Sequence, residues 1–360
     1  MSDNKILFKA AMQKIPILVL MLAVGMTFGC VKMPEIPDGF PTPEPPPSAT
    51  PVPKMEYKQD AELEKQIADI AAAAKGKVGV AAVVLETGEA AFLNADGHYP
   101  MQSVYKLPIA MAVMEQVRLG KLDLDEVIGV TKSDMVREGM RSPLRDKSPN
   151  GGEYTIRELI RLALVESDGT ASDVLMRVAG GAGEIQSYLT QIGIRDMKVV
   201  NTEKEIGKDW QTQYENWSTP MASADLLRRL YEVDRQSLLA TPTPERPVPG
   251  VACNCPIPEV SYPEPVVIRI LMRQMAASVP GEKRLKGLLP PNTVVAHKTG
   301  TGGTQNGITG ATNDIGIISL PNGKNLAIAV FVSDSPADEK TREAVIAKIA
   351  KACWDRWNKN

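Results

Sequence analysis

Tyr99-Pro100-Met101-Gln102-Ser103-Val104-Tyr105-Lys106-Leu107-Pro108-Ile109-Ala110 marks the point where the chain changes character. Upstream lie two strand-like runs, residues 78–86 and 90–94, split by the hairpin signal Thr87-Gly88. Downstream, an apolar run from Ser103 to Leu119 stops at Gly120 and reads as a buried helix. An Ala-rich helix over 61–75 precedes the strands. Beyond Gly120, Thr155-Ile156-Arg157-Glu158 is a capping box that starts a helix ending near Glu166. Helical patterns follow over 171–178, 183–191, 221–233 and 266–278. Strand character returns over 293–298 and 315–320; Pro321-Asn322-Gly323-Lys324 then turns the chain into 325–333, and a last helix covers 338–357.

Strands at both ends with helices between predict an α+β fold. One antiparallel sheet is built from the N- and C-terminal segments and flanked by helices, beside an all-helical subdomain. The α/β part is expected at 56–102 and 285–360 and the helical part at 103–284, with the site where they meet. Residues 240–265 hold eight prolines and Cys253-Asn254-Cys255, so they read as an inserted loop.

A net charge of −2 and no clustered basic stretch argue against nucleic acid as a partner. The two histidines, His98 and His297, have no metal-ligand spacing, so no metal or other cofactor is expected. Cys253 or Cys255 could bridge to Cys353, or all three could be free thiols. A monomer is expected.

The N-terminus reads as a targeting segment. Lys5, Lys9 and Lys14 precede an apolar run from Ile15 to Phe28, too short to span a bilayer comfortably. It ends at Gly29-Cys30, which resembles a bacterial lipoprotein signal: residues 1–29 would be removed and Cys30 lipidated. An ordinary secretory signal, or an uncleaved anchor, with a chance cysteine is the competing reading. Residues 31–54 hold nine prolines and little that could pack. As polyproline II at ~3.1 Å per residue they would reach ~70 Å. A stiff tether over 30–55 makes sense for an exported, periplasmic or cell-envelope domain held at a membrane.

A metal-free amide hydrolase needs a nucleophile, a base and donors for the oxyanion. Ser103-Val104-Tyr105-Lys106 supplies the first two, because residues three apart share a helix face. Alone, Ser-x-x-Lys is weak; Ser2-Asp3-Asn4-Lys5 matches it by chance. Ser167-Asp168-Gly169 follows at a break between helices, where a plain N-cap is the bland reading. His297-Lys298-Thr299-Gly300-Thr301-Gly302 then ends a strand. Ser-Lys, Ser-Asp and Lys-Thr-Gly in that order are the signature of penicillin-recognising serine enzymes.

From about residue 56 to the C-terminus, apart from the proline-rich insertion, the chain resembles the class A serine β-lactamases. Ser142-Pro143-Leu144-Arg145-Asp146-Lys147 and Arg284-Leu285-Lys286-Gly287-Leu288-Leu289-Pro290 resemble one subgroup of that class. The resemblance implies hydrolysis of β-lactam amides through an acyl-serine. Ser103 would be the nucleophile, Lys106 the acylation base or its proton partner, and Ser167 the proton donor to the lactam nitrogen. Lys298, Thr299 and Arg284 would hold the substrate carboxylate, and the N–H groups of Ser103 and Thr301, beside Gly300, would form the oxyanion hole. Glu203 would activate the deacylating water, with Glu205 in reserve; both could instead be solvated surface carboxylates.

Three positions depart from the family pattern. Gly169 lacks the amide that holds the substrate's acylamino group, Gly207 lacks a side chain to position water, and Arg141 replaces an aromatic cleft wall. Two other functions share the fold: a penicillin-binding peptidase or sensor with a long-lived acyl-enzyme, and a catalytically silent envelope lipoprotein.

Overall fold

The computed structural model describes residues 55–239 and 264–359. The signal, Cys30 and the tether therefore lie outside the described residues, as do Cys253, Cys255 and nearly all of the proline-rich insertion.

The chain opens with β1 (Lys58–Gln59), α1 (Ala61–Ala71), β2 (Lys77–Val84) and β3 (Glu89–Leu93). Asp60 caps α1 by accepting from the Leu63 N–H. A short β4 (Tyr99–Pro100) leads to α2 (Lys106–Arg118). The middle carries β5 (Val127–Thr131), α3 (Pro143–Lys147), β6 (Gly151–Thr155), α4 (Ile156–Val165), α5 (Gly169–Val178) and α6 (Ala182–Gln191). Then come β7 (Met197–Lys198), α7 (Glu203–Ile206), β8 (Trp217–Ser218), α8 (Pro220–Leu239) and α9 (Glu264–Ala276). The C-terminal part is β9 (Val295–Thr301), β10 (Thr304–Gln305), β11 (Ile308–Ser319), β12 (Asn325–Ser335) and α10 (Glu339–Trp357).

The expected α+β architecture is present. Among the described residues, seven strands form one sheet in the order β1-β3-β2-β12-β11-β10, with β9 also on β11, and only the β1–β3 pair is parallel. Strand β12 explains why both faces are covered. Leu326, Ile328, Val330 and Val332 point to one core with α1 and α10, while Ala327, Ala329 and Phe331 point to the other, against the helical part. The period-2 alternation of a strand makes a continuous apolar run serve two cores. Helix α2 is buried nearly all round and forms the centre of the helical part.

Several boundaries differ from the sequence reading. The helix expected from Ser103 begins as a 3-10 turn, Gln102–Tyr105, before α2. Strand β11 starts at Ile308 rather than 315, because Thr312, Asn313 and Asp314 are polar yet buried with partners. Pro265, assigned to the insertion, belongs to the first turn of α9, where its missing N–H costs nothing. The helical part also carries the β5–β6 ribbon and the small β4-β8-β7 sheet. The capping box at Thr155 and Glu158 is formed as expected.

Candidate active site

Ser103 stands on the 3-10 turn at the head of α2, and the turn is held from three sides. Gln102, one residue before it, adopts φ 49, a left-handed conformation that a side chain occupies only when neighbours impose it. Its amide donates to Gln213 Oε1 at 2.8 Å. From the sheet, Asn313 Nδ2 donates to the carbonyls of Pro100 at 2.8 Å and Met101 at 3.2 Å. Strand β9 passes so close that a Cβ on Gly300 would lie 2.3 Å from the Met101 carbonyl oxygen. Only glycine fits there.

Lys106 is fully buried, and its ammonium meets three acceptors. Nζ lies 2.8 Å from Ser103 Oγ, 3.0 Å from the Ser167 carbonyl and 3.1 Å from Glu203 Oε1. Ser167 is itself in the left-handed region, φ 57, which turns its carbonyl to Lys106 and its hydroxyl to Lys298 Nζ at 2.9 Å. Asp168 fixes this break between α4 and α5. It caps α5 through the Ala171 N–H and also accepts from the Leu144 N–H and the Ser142 hydroxyl. Ser142-Pro143-Leu144 thus supports the break from the α3 side.

Glu203 opens α7, and its N–H and that of Lys204 donate to the two oxygens of Asp173 at 2.6 and 3.1 Å. Burial pushes the Asp173 carboxyl up to about 7. Burial would also raise the Glu203 carboxyl. The Lys106 charge, hydrogen bonds from Tyr105 and Lys106, and the Lys298 charge outweigh it, holding Glu203 below the usual glutamate range. Burial, with Lys106 nearby, pulls the Lys298 ammonium well below its ordinary range. Glu205, the reserve candidate, is used differently: its carboxylate closes the α7 capping box with the Thr202 N–H and hydroxyl. Asn216 ties down the approach to α7 by accepting from the Val200 and Asn201 N–H groups.

On the sheet side, Lys298, Thr299, Gly300 and Thr301 form the end of β9, with Thr299 and Thr301 facing the cleft. Arg284, expected as a direct carboxylate ligand, is instead buried behind the strand. Its guanidinium donates to the Gly300 and Asn313 carbonyls, to Thr301 Oγ1 at 2.8 Å and to Glu343 at 3.2 Å. The cleft between the halves has a volume of about 680 Å³, enough for a small molecule, and Ser103, Ser167, Glu203, Thr299 and Thr301 line it. Arg137, Arg141 and Lys208 add positive charge to its helical wall.

Two of the three departures, Arg141 and Gly207, line this wall, and Gly169 lies behind it against Glu203. Gly169 has ordinary helical backbone, so positive φ does not explain it. A Cβ there would sit 2.9 Å from Glu203 Cγ and 3.2 Å from the Arg141 carbonyl oxygen. A side chain on Gly207 would meet Met140 Sδ at 2.6 Å. Arg141 donates to the Glu166 carbonyl and leaves about half its side chain exposed. Among the described residues no group of His, Cys, Asp and Glu could hold a metal ion. His98 stacks on Trp217, and His297 pairs with Asp314 inside the protein. Cys353, on α10, is buried in the core that this helix shares with α1.

The sequence pattern of the Beta-lactamase enzyme family matches residues 62–243 and 268–357. The chain is 35% identical to β-lactamase VEB-1 of Pseudomonas aeruginosa, covering 81% of this chain and 89% of that protein. It is also 35% identical to the extended-spectrum β-lactamase PER-1 of the same organism, over 81% of this chain and 86% of that one. The chain belongs to the β-lactamase enzyme family, as a class A member. Solved structures agree. The TLA-3 extended-spectrum β-lactamase superposes with a TM-score of 0.72 at 38% identity, covering 83% of this chain and 99% of that one. A β-lactamase from Chitinophaga pinensis DSM 2588 also gives 0.72, at 37% identity, covering 82% and 99%. As a serine β-lactamase it hydrolyses the β-lactam amide through a covalent acyl-serine.

Proposed function

We propose that Ser103, Lys106, Ser167 and Glu203 carry both halves of this reaction. Ser103 Oγ attacks the lactam carbonyl carbon while the N–H groups of Ser103 and Thr301 receive the developing oxyanion. The proton leaves either to a neutral Lys106 Nζ, 2.8 Å from the serine oxygen, or through water to Glu203. The C–N bond then breaks, and the nitrogen takes the Ser167 hydroxyl proton. That hydroxyl is resupplied through the lysines around it with the proton taken from Ser103, which leaves Glu203 ionised; Lys298 Nζ is 2.9 Å away.

In the second half, the ionised Glu203 takes a proton from water, the resulting hydroxide attacks the acyl ester, and Ser103 leaves as that proton returns to its oxygen through Lys106. Lys298 and Thr299 receive the substrate carboxylate. Arg284 contributes through the Thr301 hydroxyl that it holds. Gly169 leaves the acylamino carbonyl without a donor at that position.

The observation that carries the assignment is the convergence of Ser103, Ser167 and Glu203 on one lysine nitrogen. A carboxylate placed there favours turnover over a penicillin-binding end point. Glu203→Ala should therefore acylate and then stall, as a lasting mass increase of the intact protein with a penicillin. Steady hydrolysis of a chromogenic cephalosporin by that variant would refute the role.

The setting is proposed from the N-terminal sequence. The enzyme is exported, cut before Cys30 and lipid-tethered at the cell envelope as a monomer, its proline-rich segment spacing the domain from the membrane. Stable anchoring needs more than one acyl chain, as bacterial lipoproteins carry. Wild type should fractionate with membranes and Cys30→Ala should not. A soluble mature protein starting elsewhere would overturn this.

A further inference from the structure

The Glu203 carboxylate is held at both oxygens by the turn that carries the nucleophile. Oε1 takes Lys106 Nζ at 3.1 Å, and Oε2 takes the Tyr105 hydroxyl at 2.7 Å. Tyr105 has no exposed surface and packs within the core around α2, so its ring cannot swing away. The two donors differ in one respect that matters. Lys106 exchanges protons during the reaction proposed above, so its contact with Glu203 changes as the cycle runs. Burial, then the Glu203 and Asp173 carboxylates, raise the phenol well above its ordinary range. It stays neutral and always offers a proton.

We propose that Tyr105 is a positioning residue for deacylation, whose hydroxyl keeps Glu203 ionised and aimed while Lys106 changes its protonation. The inference rests on the reading of Glu203 as the water-activating base. Its need follows from Gly207, which offers no side chain to orient the water, so the aim of the base falls to groups that touch it directly. The charged and titratable groups around Glu203 are Lys106 on α2, Lys298 on β9, Asp173 on α5 and Tyr105 itself. Of these, only Tyr105 gives a neutral hydrogen bond that can be removed without removing a charge.

Tyr105→Phe keeps the ring and deletes the donor. A hydrogen bond to the ionised form lowers a carboxyl pKa, so its loss raises the pKa. The acid limb of deacylation should move to higher pH by about one unit. The decay of the acyl-enzyme, followed by intact mass over a pH series, reads this directly. A purely structural role would lower the melting temperature and slow the decay equally at all pH values, leaving the limb in place.

If Tyr105→Phe does not fold, 3-fluorotyrosine at the same position serves. Its more acidic phenol donates more strongly, so the limb should move to lower pH. Glu203→Gln is measured beside both. If Glu203→Gln stalls as acyl-enzyme but neither Tyr105 protein shifts the limb, the positioning role is wrong and the base assignment stands. If Glu203→Gln turns over normally, the base assignment itself fails.

Discussion

Replacing Gly169 with alanine tests the packing around Glu203. Backbone preference alone predicts a benefit: Gly169 is the first residue of α5 with ordinary φ, and alanine in a helix is favoured over glycine by up to ~1 kcal/mol. The added methyl carbon would, however, sit 2.9 Å from Glu203 Cγ, against the ~3.5–4.0 Å of a comfortable carbon contact. Relief toward the other side is blocked by the Arg141 carbonyl at 3.2 Å and Val136 Cγ1 at 3.4 Å. Glu203 must therefore yield by roughly 0.6 Å or more. Its carboxylate bonds are 2.7 Å to Tyr105 and 3.1 Å to Lys106, so that shift strains or breaks at least one.

Overpacking costs about 1–3 kcal/mol, which outweighs the helix preference, and a misplacement near 1 Å can cost ~100-fold in rate. We expect Gly169→Ala to acylate at nearly the wild-type rate and to deacylate about 10–100-fold more slowly. Rapid-mixing acylation and the decay of the acyl-enzyme separate the two steps. Wild-type deacylation with an unchanged or higher melting temperature would refute the argument. The same collision applies to Gly169→Asn. It should therefore impair substrates with and without an acylamino group, whatever hydrogen bond the amide could offer.

Other expected outcomes follow from the contacts already described. Ser103→Ala should abolish both turnover and labelling by a fluorescent penicillin, and labelling at the wild-type rate would exclude Ser103 as nucleophile. Glu205→Ala should keep turnover and lose about 0.5–2 kcal/mol of stability through the broken α7 cap; a trapped acyl-enzyme would instead move the base to Glu205. Arg284→Ala leaves the partly buried Glu343 without this ion pair. It should lower the melting temperature and raise KM more than it lowers kcat, and an unchanged KM would show that Thr301 needs no such support.

Local sequence determined a good deal of this protein. Ser103 and Lys106 are three residues apart at a helix start, so their contact follows from helix geometry alone, and the 2.8 Å hydrogen bond is its outcome. The caps at Asp60, Thr155 and Thr202 are local for the same reason. The continuous apolar run of β12 is what a strand buried on both faces requires. The order Ser-Lys, Ser-Asp, Lys-Thr-Gly pointed to the chemistry without any coordinates.

Tertiary structure decided what depends on residues far apart in the chain. Tyr105 reads in the sequence as one more apolar residue of a buried helix, and it meets Glu203 only because α7 folds over the head of α2, 98 residues away. Gly169 reads as a missing hydrogen-bond donor, until the fold places Glu203 Cγ where its Cβ would be. Thr312, Asn313 and Asp314 look too polar for a central strand. They are buried because Arg342, the Pro100 carbonyl and His297 supply their hydrogen bonds, and a buried polar group costs little once it is paired. Such pairings carry no local signature, since their free energy depends on two distant groups arriving at one point.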